Sequence, residues 1–329
     1  MDNPRKADDL SSLPYEAALA DLTNLWRIRC FEEEVTRMRI EEQIVGSVHL
    51  CIGQEAIPVG ACAALDLTRD AVFATYRGHG WALACGTDPV ALFAELLGRE
   101  TGTNGGRAGS AYLSDPDHGF YGENSIVGAG APIAMGAALA ARYDGSGRVA
   151  LTVFGDGAMN QGAVHEAMNM ASAFDLPVVF LVENNRYSEL TPIAAMVRRD
   201  DLASRAAAYG MRASRIDGND VNAVREAISE AVATCRAGRG PVLIEALTQR
   251  LVGHYIGDAQ VYRPHDEVEQ ARTKEPIIVL SAALRADGVS EHELAGIETR
   301  VRAEVAAAAT AALAAPPADP TAVKEHLYG

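Results

Sequence analysis

VALTVFGDG at residues 149–157 and VVFLVENN at 178–185 are the two stretches that decide the fold. Each opens on a continuous apolar run that reads as a strand and closes on small or polar residues. The segment between them, 161–174, carries apolar residues at helical spacing. Strands without apolar–polar alternation that take turns with helices belong to a parallel sheet covered on both faces, so the expected class is α/β. Outward from this centre the alternation continues. A small-residue helix is expected over 131–143, a helix over 200–209, a strand over 213–216, a helix over 221–235 and a strand over 242–247.

Toward the start, 14–43 shows Leu19, Leu22, Leu25, Trp26, Ile28, Phe31 and Val35 at the spacing of a long amphipathic helix. A second helix is read over 53–65. Asp88-Pro89 places an N-cap and a first-turn proline ahead of a third over 90–97. Helices are therefore expected to dominate the first hundred residues. From 101 to 130 glycine is frequent and no period can be traced, and long loops of this kind in a compact chain are usually functional. An acidic, alanine-rich helix over 291–314 ends at Pro316, Pro317 and Pro320. The expected organisation is a polar leader (1–13), a single α/β domain (14–315) and a C-terminal tail (316–329).

With 329 residues, 48% hydrophobic and 22% charged, the chain can bury a sizeable core. Lys and Arg number 29 against 44 Asp and Glu, and a net charge of −15 repels a nucleic-acid backbone. The five cysteines lack CxxC spacing and mostly sit among apolar neighbours, which reads as reduced core thiols in a cytoplasmic protein. No apolar run reaches the ~18 residues of a membrane span, and MDNPRKADDL lacks the apolar core of a signal peptide.

The chemistry gathers at Gly155-Asp156-Gly157 and Glu183-Asn184-Asn185, both at the carboxyl ends of parallel strands, where open α/β sheets place their ligands. A carboxylate, an amide oxygen and a nearby backbone carbonyl are hard donors that suit Mg2+ shared with phosphate oxygens. The two glycines let backbone approach a diphosphate, and the following helix N-terminus adds partial positive charge. Taken alone, GDG also describes a tight strand-to-helix turn with the aspartate as cap.

In this order and spacing the two clusters resemble the thiamine-diphosphate signature. GDGAMNQGAVHEAMNMA (155–171) with LPVVFLVENNRYS (176–188) is similar to the α subunits of pyruvate, branched-chain and acetoin dehydrogenase complexes. So are HLCIGQEAIPVG, TYRGHG, LLGRETG, GRAGS and ENSIVGAGAP upstream, and AAAYG, DGND, GPVLIEA and GHYIGDAQVYR downstream.

The resemblance implies a thiamine-diphosphate-binding fold and assigns roles by position. Asp156, Asn185 and the carbonyl of Tyr187 would hold Mg2+. Tyr76 and Arg77 would bind the diphosphate, as would backbone donors at Gly157 and Ala158. Ser125 and Val127 stand where backbone groups hold the aminopyrimidine. His254 matches a histidine that reaches the diphosphate and reaction centre, and His79 one on an adjoining mobile loop; an imidazole near neutral pKa can pass protons there. His49 is a weaker candidate.

Departures from the pattern are informative. Tyr112 replaces a histidine near the cofactor channel, Ser125 a common glycine, and Tyr255 a serine that some complexes phosphorylate. GDAQVYR and SELTPI lean toward acetoin-type chains. The resemblance implies oxidative cleavage of a small 2-oxo acid or acetoin and passage of a two-carbon fragment to a lipoyl group on an acyltransferase. It implies too that a β subunit completes an α2β2 heterotetramer by supplying the glutamate that activates the aminopyrimidine. The alternative is a thiamine-dependent carboligase or transketolase-like subunit.

Overall fold

The computed structural model describes residues 15–326; the expected polar leader lies outside them. In chain order the elements are α1 (Tyr15–Ile40), α2 (Ala56–Ala63), β1 (Ala71–Thr75), α3 (His79–Cys85), α4 (Pro89–Leu96), β2 (Phe120–Asn124), α5 (Gly130–Asp144), β3 (Ala150–Gly155), α6 (Gly162–Ala173) and β4 (Val178–Asn184). There follow β5 (Tyr187–Ser188), β6 (Thr191–Pro192), α7 (Ile193–Met196), β7 (Arg212–Asp217), α8 (Val221–Arg236), β8 (Val242–Leu247), α9 (His265–Arg272), α10 (Pro276–Ala286) and α11 (Glu291–Ala314).

Six strands form one parallel sheet in the order β2-β1-β3-β4-β8-β7. The unbroken apolar runs sit at its centre. Along β4, Val179 and Leu181 pack with the helices of one face, while Val178, Phe180 and Val182 point to the other. Because both faces are covered, every residue of β4 is buried, and each large apolar side chain contributes roughly 1.5–3 kcal/mol. One face carries α5, α6 and a 3-10 turn at Ala203–Tyr209; the other carries α1, α2, α3, α4, α8, α10 and α11.

The sequence expectation differs from the structure in the first 130 residues. β1 and β2 were not expected, and both belong to the sheet. In β2 the residues Phe120-Tyr-Gly-Glu-Asn124 alternate neither in hydrophobicity nor in burial, and Gly122 stands in the middle, so no strand period survives in the sequence. The expected helix at 200–209 is a shorter 3-10 segment. After α11 the chain does not leave the body: Pro316 O accepts from Glu100 N–H (3.0 Å), and Ala318 N–H donates to Gly98 O (2.9 Å). Among the described residues no helix is long and apolar enough to cross a membrane, and all five cysteines are buried free thiols.

The glycine-rich loop has an internal occupant. Glu95 of α4 is 1% exposed. Its Oε2 accepts from Asn104 N–H (2.7 Å) and Gly106 N–H (2.8 Å), and its Oε1 from Ala108 N–H (2.5 Å) and Gly109 N–H (3.3 Å). Gly102 and Gly106 leave no room for a Cβ, which would meet Glu95 Cα or Arg99 O at 2.6 Å in the respective cases. The glycines over 102–109 thus let backbone wrap a carboxylate of the same chain.

Candidate functional site

Five strands end at one cavity. Tyr76 and Arg77 follow β1, Ser125 and Val127 follow β2, and Asp156, Gly157 and Ala158 follow β3. Asn185 and Tyr187 follow β4, and Arg250 and His254 follow β8; all line a cavity of about 450 Å3 at the carboxyl edge of the sheet. Parallel strands deliver their following loops to the same edge, which is why segments distant in sequence converge.

Asp156 opens a 3-10 turn (Asp156–Asn160) directly after β3 and is 1% exposed. Its Oδ2 is buried without a hydrogen-bond partner in the chain. Burial raises its pKa to about 6, offset in part by the Gly157 N–H. On the neighbouring strand, Asn185 Nδ2 donates to Gln54 Oε1 (3.1 Å), which fixes the amide so that its oxygen faces away from Gln54. The chain then reverses. Arg186 (φ 71) and Glu189 (φ 55) adopt left-handed backbone, a costly state for non-glycine residues, and β5 pairs with β6 across the hairpin. This brings Ser188 over the Asp156 turn so closely that a Cβ on Gly157 would lie 2.2 Å from Ser188 Oγ. Tyr187's ring is turned aside: its hydroxyl donates to Glu267 Oε2 (2.6 Å), and the ring lies beneath the Arg250 and Arg263 guanidinium groups.

The opposite wall is cationic. Arg77 donates through Nη1 to Leu50 O and through Nη2 to His254 O (3.1 Å). Arg250 donates to His254 Nδ1 (3.2 Å), Glu189 O (2.9 Å) and Tyr262 OH (3.3 Å), while its Nε is buried and unpaired. The His254 backbone N–H donates to Asp258 Oδ2 (2.6 Å). Burial, then Arg77 and Arg250, lower the His254 pKa to about 4. Burial, Arg77 and His254 lower His49 to about 3, and burial and Arg77 lower Arg250 to about 10. His49 packs against Tyr76 and His254, at ring distances of 4.5 and 4.9 Å, and its Nδ1 is unpaired. Arg77 and Arg250 are desolvated cations that repel each other, and an anion between them would relieve that repulsion.

Every expected site residue except His79 lines this cavity. His79 is fully buried at the start of α3, with Nδ1 2.8 Å from Glu32 Oε2 and Nε2 2.9 Å from Ser110 Oγ. Both nitrogens are engaged in the interior, away from the cavity lining. Sequence reading gave no role to Arg250, Gln54 or Ser188, and named Glu183 only as part of the cluster Glu183-Asn184-Asn185. Glu183 is buried in the cavity wall, accepts from Trp81 Nε1 (3.1 Å), and is raised by burial to about 7. Arg250, four residues before His254, had only that proximity as a signal.

Comparison with known proteins identifies the family. A family model described as "Dehydrogenase E1 component" matches residues 23–321. The α subunit of acetoin:2,6-dichlorophenolindophenol oxidoreductase from Bacillus subtilis is 42% identical over 291 residues, covering 88% of this chain and 87% of the relative. The pyruvate dehydrogenase E1 component α subunit of Zymomonas mobilis is 40% identical over 341 residues, 99% of this chain and 95% of the relative. A second acetoin oxidoreductase α subunit, from Cupriavidus necator, is 38% identical over 98% of both chains.

Proposed function

The chain belongs to the dehydrogenase E1 component family and is an α subunit of a thiamine-diphosphate-dependent 2-oxo acid or acetoin dehydrogenase, and we propose that its carboxyl-edge cavity holds the diphosphate and Mg2+ half of the active site. The observation that carries this reading is the pairing of Asp156 Oδ2, buried and unpartnered, with the cationic wall of Arg77 and Arg250. A hard cation satisfies the first, and a diphosphate satisfies the second while sharing oxygens with the metal.

Asp156, the Asn185 amide oxygen and the Tyr187 carbonyl form the metal's donor set. None is a histidine or thiolate, as a Mg2+ site requires. Tyr76 and Arg77, with the Gly157 and Ala158 N–H groups, receive the diphosphate. Gly157 fits because a Cβ there would collide with Ser188. Ser125 and Val127, on the exposed lip after β2, offer backbone groups to the aminopyrimidine. When bound, the cofactor supplies a nucleophilic carbon and an electron sink for cleavage beside a carbonyl. Around it, burial together with Arg77 and Arg250 keeps His254 neutral at pH 7; Arg250 donates to Nδ1, so the neutral ring carries its proton on Nε2, which is left as a hydrogen-bond donor.

A β subunit completes the site in this reading, within an α2β2 heterotetramer that passes a two-carbon fragment to a lipoyl acyltransferase in the cytoplasm. Ile126 (71% exposed), Ile133 (50%) and Val127 (43%) form an apolar lip and flank beside the cavity that a partner would cover. The buried free thiols fit a reducing compartment. Pyruvate or acetoin is preferred over bulky branched acids, on the GDAQVYR and SELTPI segments and on Tyr112.

The test is dye reduction by the chain alone and by the chain purified with its partner, using pyruvate, acetoin and a branched 2-oxo acid. Activity is expected only with the partner and fastest on the small substrates. Robust turnover by the isolated chain would reject the two-chain site, and a faster branched substrate would reject the preference.

A further inference from the structure

Beneath the cationic wall lies a buried chain of polar groups that contacts no part of the cavity. Glu32, in the middle of α1, is 0% exposed. Its Oε1 accepts from Cys51 N–H (2.8 Å), and its Oε2 lies 2.8 Å from His79 Nδ1. From the other side of the imidazole, Nε2 meets Ser110 Oγ at 2.9 Å. One carboxylate therefore joins three segments: the loop of His49, Leu50 and Cys51; the turn of Tyr76, Arg77 and His79; and the end of the glycine-rich loop.

The first two segments meet again at the cavity, where Arg77 donates to Leu50 O. Arg77 is thus aimed by a ring of contacts whose far side is Glu32 and His79. There is no slack between: a Cβ on Gly78 would lie 2.0 Å from Glu123 Oε2. Burial opposes a charge on His79, but Glu32 outweighs it and raises the imidazole's pKa, while His79 in turn outweighs burial and lowers that of Glu32. The pair is an internal ion pair mounted on a 26-residue helix, and groups on rigid elements hold a binding geometry better than loops do.

We propose that Glu32, His79 and Ser110 are positioning residues that set the aim of Arg77 toward the cofactor diphosphate. This rests on the thiamine-diphosphate reading of the cavity. Outer partners of a metal site typically change affinity about 10–100-fold when removed, and this network acts on Arg77 through the two segments it ties together.

The experiment measures the dissociation constant of thiamine diphosphate with Mg2+ by titration calorimetry on the chain assembled with its partner, and the melting temperature of the cofactor-free protein. Glu32→Gln and His79→Ala are expected to weaken cofactor binding about tenfold or more. His79→Gln, whose amide can donate to Glu32 and accept from Ser110, recovers most of that loss. Because Ser110 acts through the same imidazole, Ser110→Ala added to His79→Ala weakens binding no further. Glu95→Gln serves as the structural control: it anchors the same glycine-rich loop without touching His79, and lowers the melting temperature with cofactor affinity unchanged. The proposal is overturned if the Glu32 and His79 variants melt lower, as this control does, yet bind the cofactor as wild type does. Should both variants fail to fold, Ser110→Ala, which removes one hydroxyl, decides: unchanged affinity overturns the proposal and weaker binding upholds it. A wild-type assembly that binds no cofactor overturns the functional reading itself, with this inference.

Discussion

Two glycine-bearing loops of this chain differ in what meets their backbone. At residues 104–109 it is the chain's own Glu95, which accepts from four backbone N–H groups. At Gly155–Ala158 Ser188 packs over Gly157, yet Asp156 Oδ2 is left without a partner, and the facing wall holds Arg77 and Arg250. Glycine reports that something comes close to the backbone; it does not report what. The unsatisfied atom and the unneutralised charge distinguish a binding turn from a structural one.

Substitutions at the two loops should separate along that line. The largest effect is expected for Asp156→Ala, which removes a direct donor: Mg2+-dependent thiamine-diphosphate affinity should fall about a hundredfold or more, beyond the range for outer partners, in a chain that still folds. Titration with and without Mg2+ checks this, and unchanged affinity would remove Asp156 from the site. Glu95→Gln does the reverse. Losing a buried charge that holds four N–H donors should cost about 2–3 kcal/mol in denaturant unfolding, with cofactor affinity as in wild type.

A finer contrast uses the glycines. Gly157→Ala places a methyl into Ser188, and Gly106→Ala places one into Arg99 O. Crowding of this kind costs about 1–3 kcal/mol. The first substitution should appear mainly as weaker cofactor binding, the second mainly as a lower melting temperature; equal effects on both measurements at both sites would erase the distinction between the loops.

The smallest effect concerns pH. His254 is held down at about 4 in the folded chain, against ~6.5 when unfolded, so between these values the unfolded chain binds more protons. Stability is then fully present above pH ~6.5 and is lost as pH falls toward 4, by about 1.4 kcal/mol at pH 5.5. His49 adds to this loss, while Asp156 and Glu183, whose pKa values are raised, oppose it, so the His254 contribution is the difference between wild type and His254→Gln in the change of melting of the cofactor-free chain from pH 7.5 to 5.5. The variant should lose less stability than wild type over that interval, and an identical change in both would show that His254 contributes nothing.

The parts of the fold that could be read in the sequence share a physical reason. β3, β4 and β8 are buried on both faces, and α8 and α11 have clear ends, in Asp220 and Ser290 as N-caps, so local composition is enough to place them. β1 is short, and β2 has Gly122 at its centre and polar Glu123 and Asn124 at its end; pairing with neighbours far along the chain makes them strands. The site divides in the same way. The runs that follow β1, β3, β4 and the loop after β8 carry motifs, and the geometry gathers them in one cavity. Arg250 and Gln54 meet the site residues through contacts with distant parts of the chain, and Glu95 fills its loop by backbone contacts of the same kind, so no spacing marks them. His79 illustrates the opposite failure: its flanking motif is clear, and only its burial between Glu32 and Ser110 shows that it faces inward.

The most direct measurement is a crystal structure of the chain with its partner subunit, grown with Mg2+ and thiamine diphosphate. The account predicts the metal against Asp156 Oδ2, the Asn185 amide oxygen and the Tyr187 carbonyl, with the diphosphate between the Gly157 turn and Arg77. A cofactor bound elsewhere, or a diphosphate that leaves Asp156 Oδ2 without a partner, would contradict it.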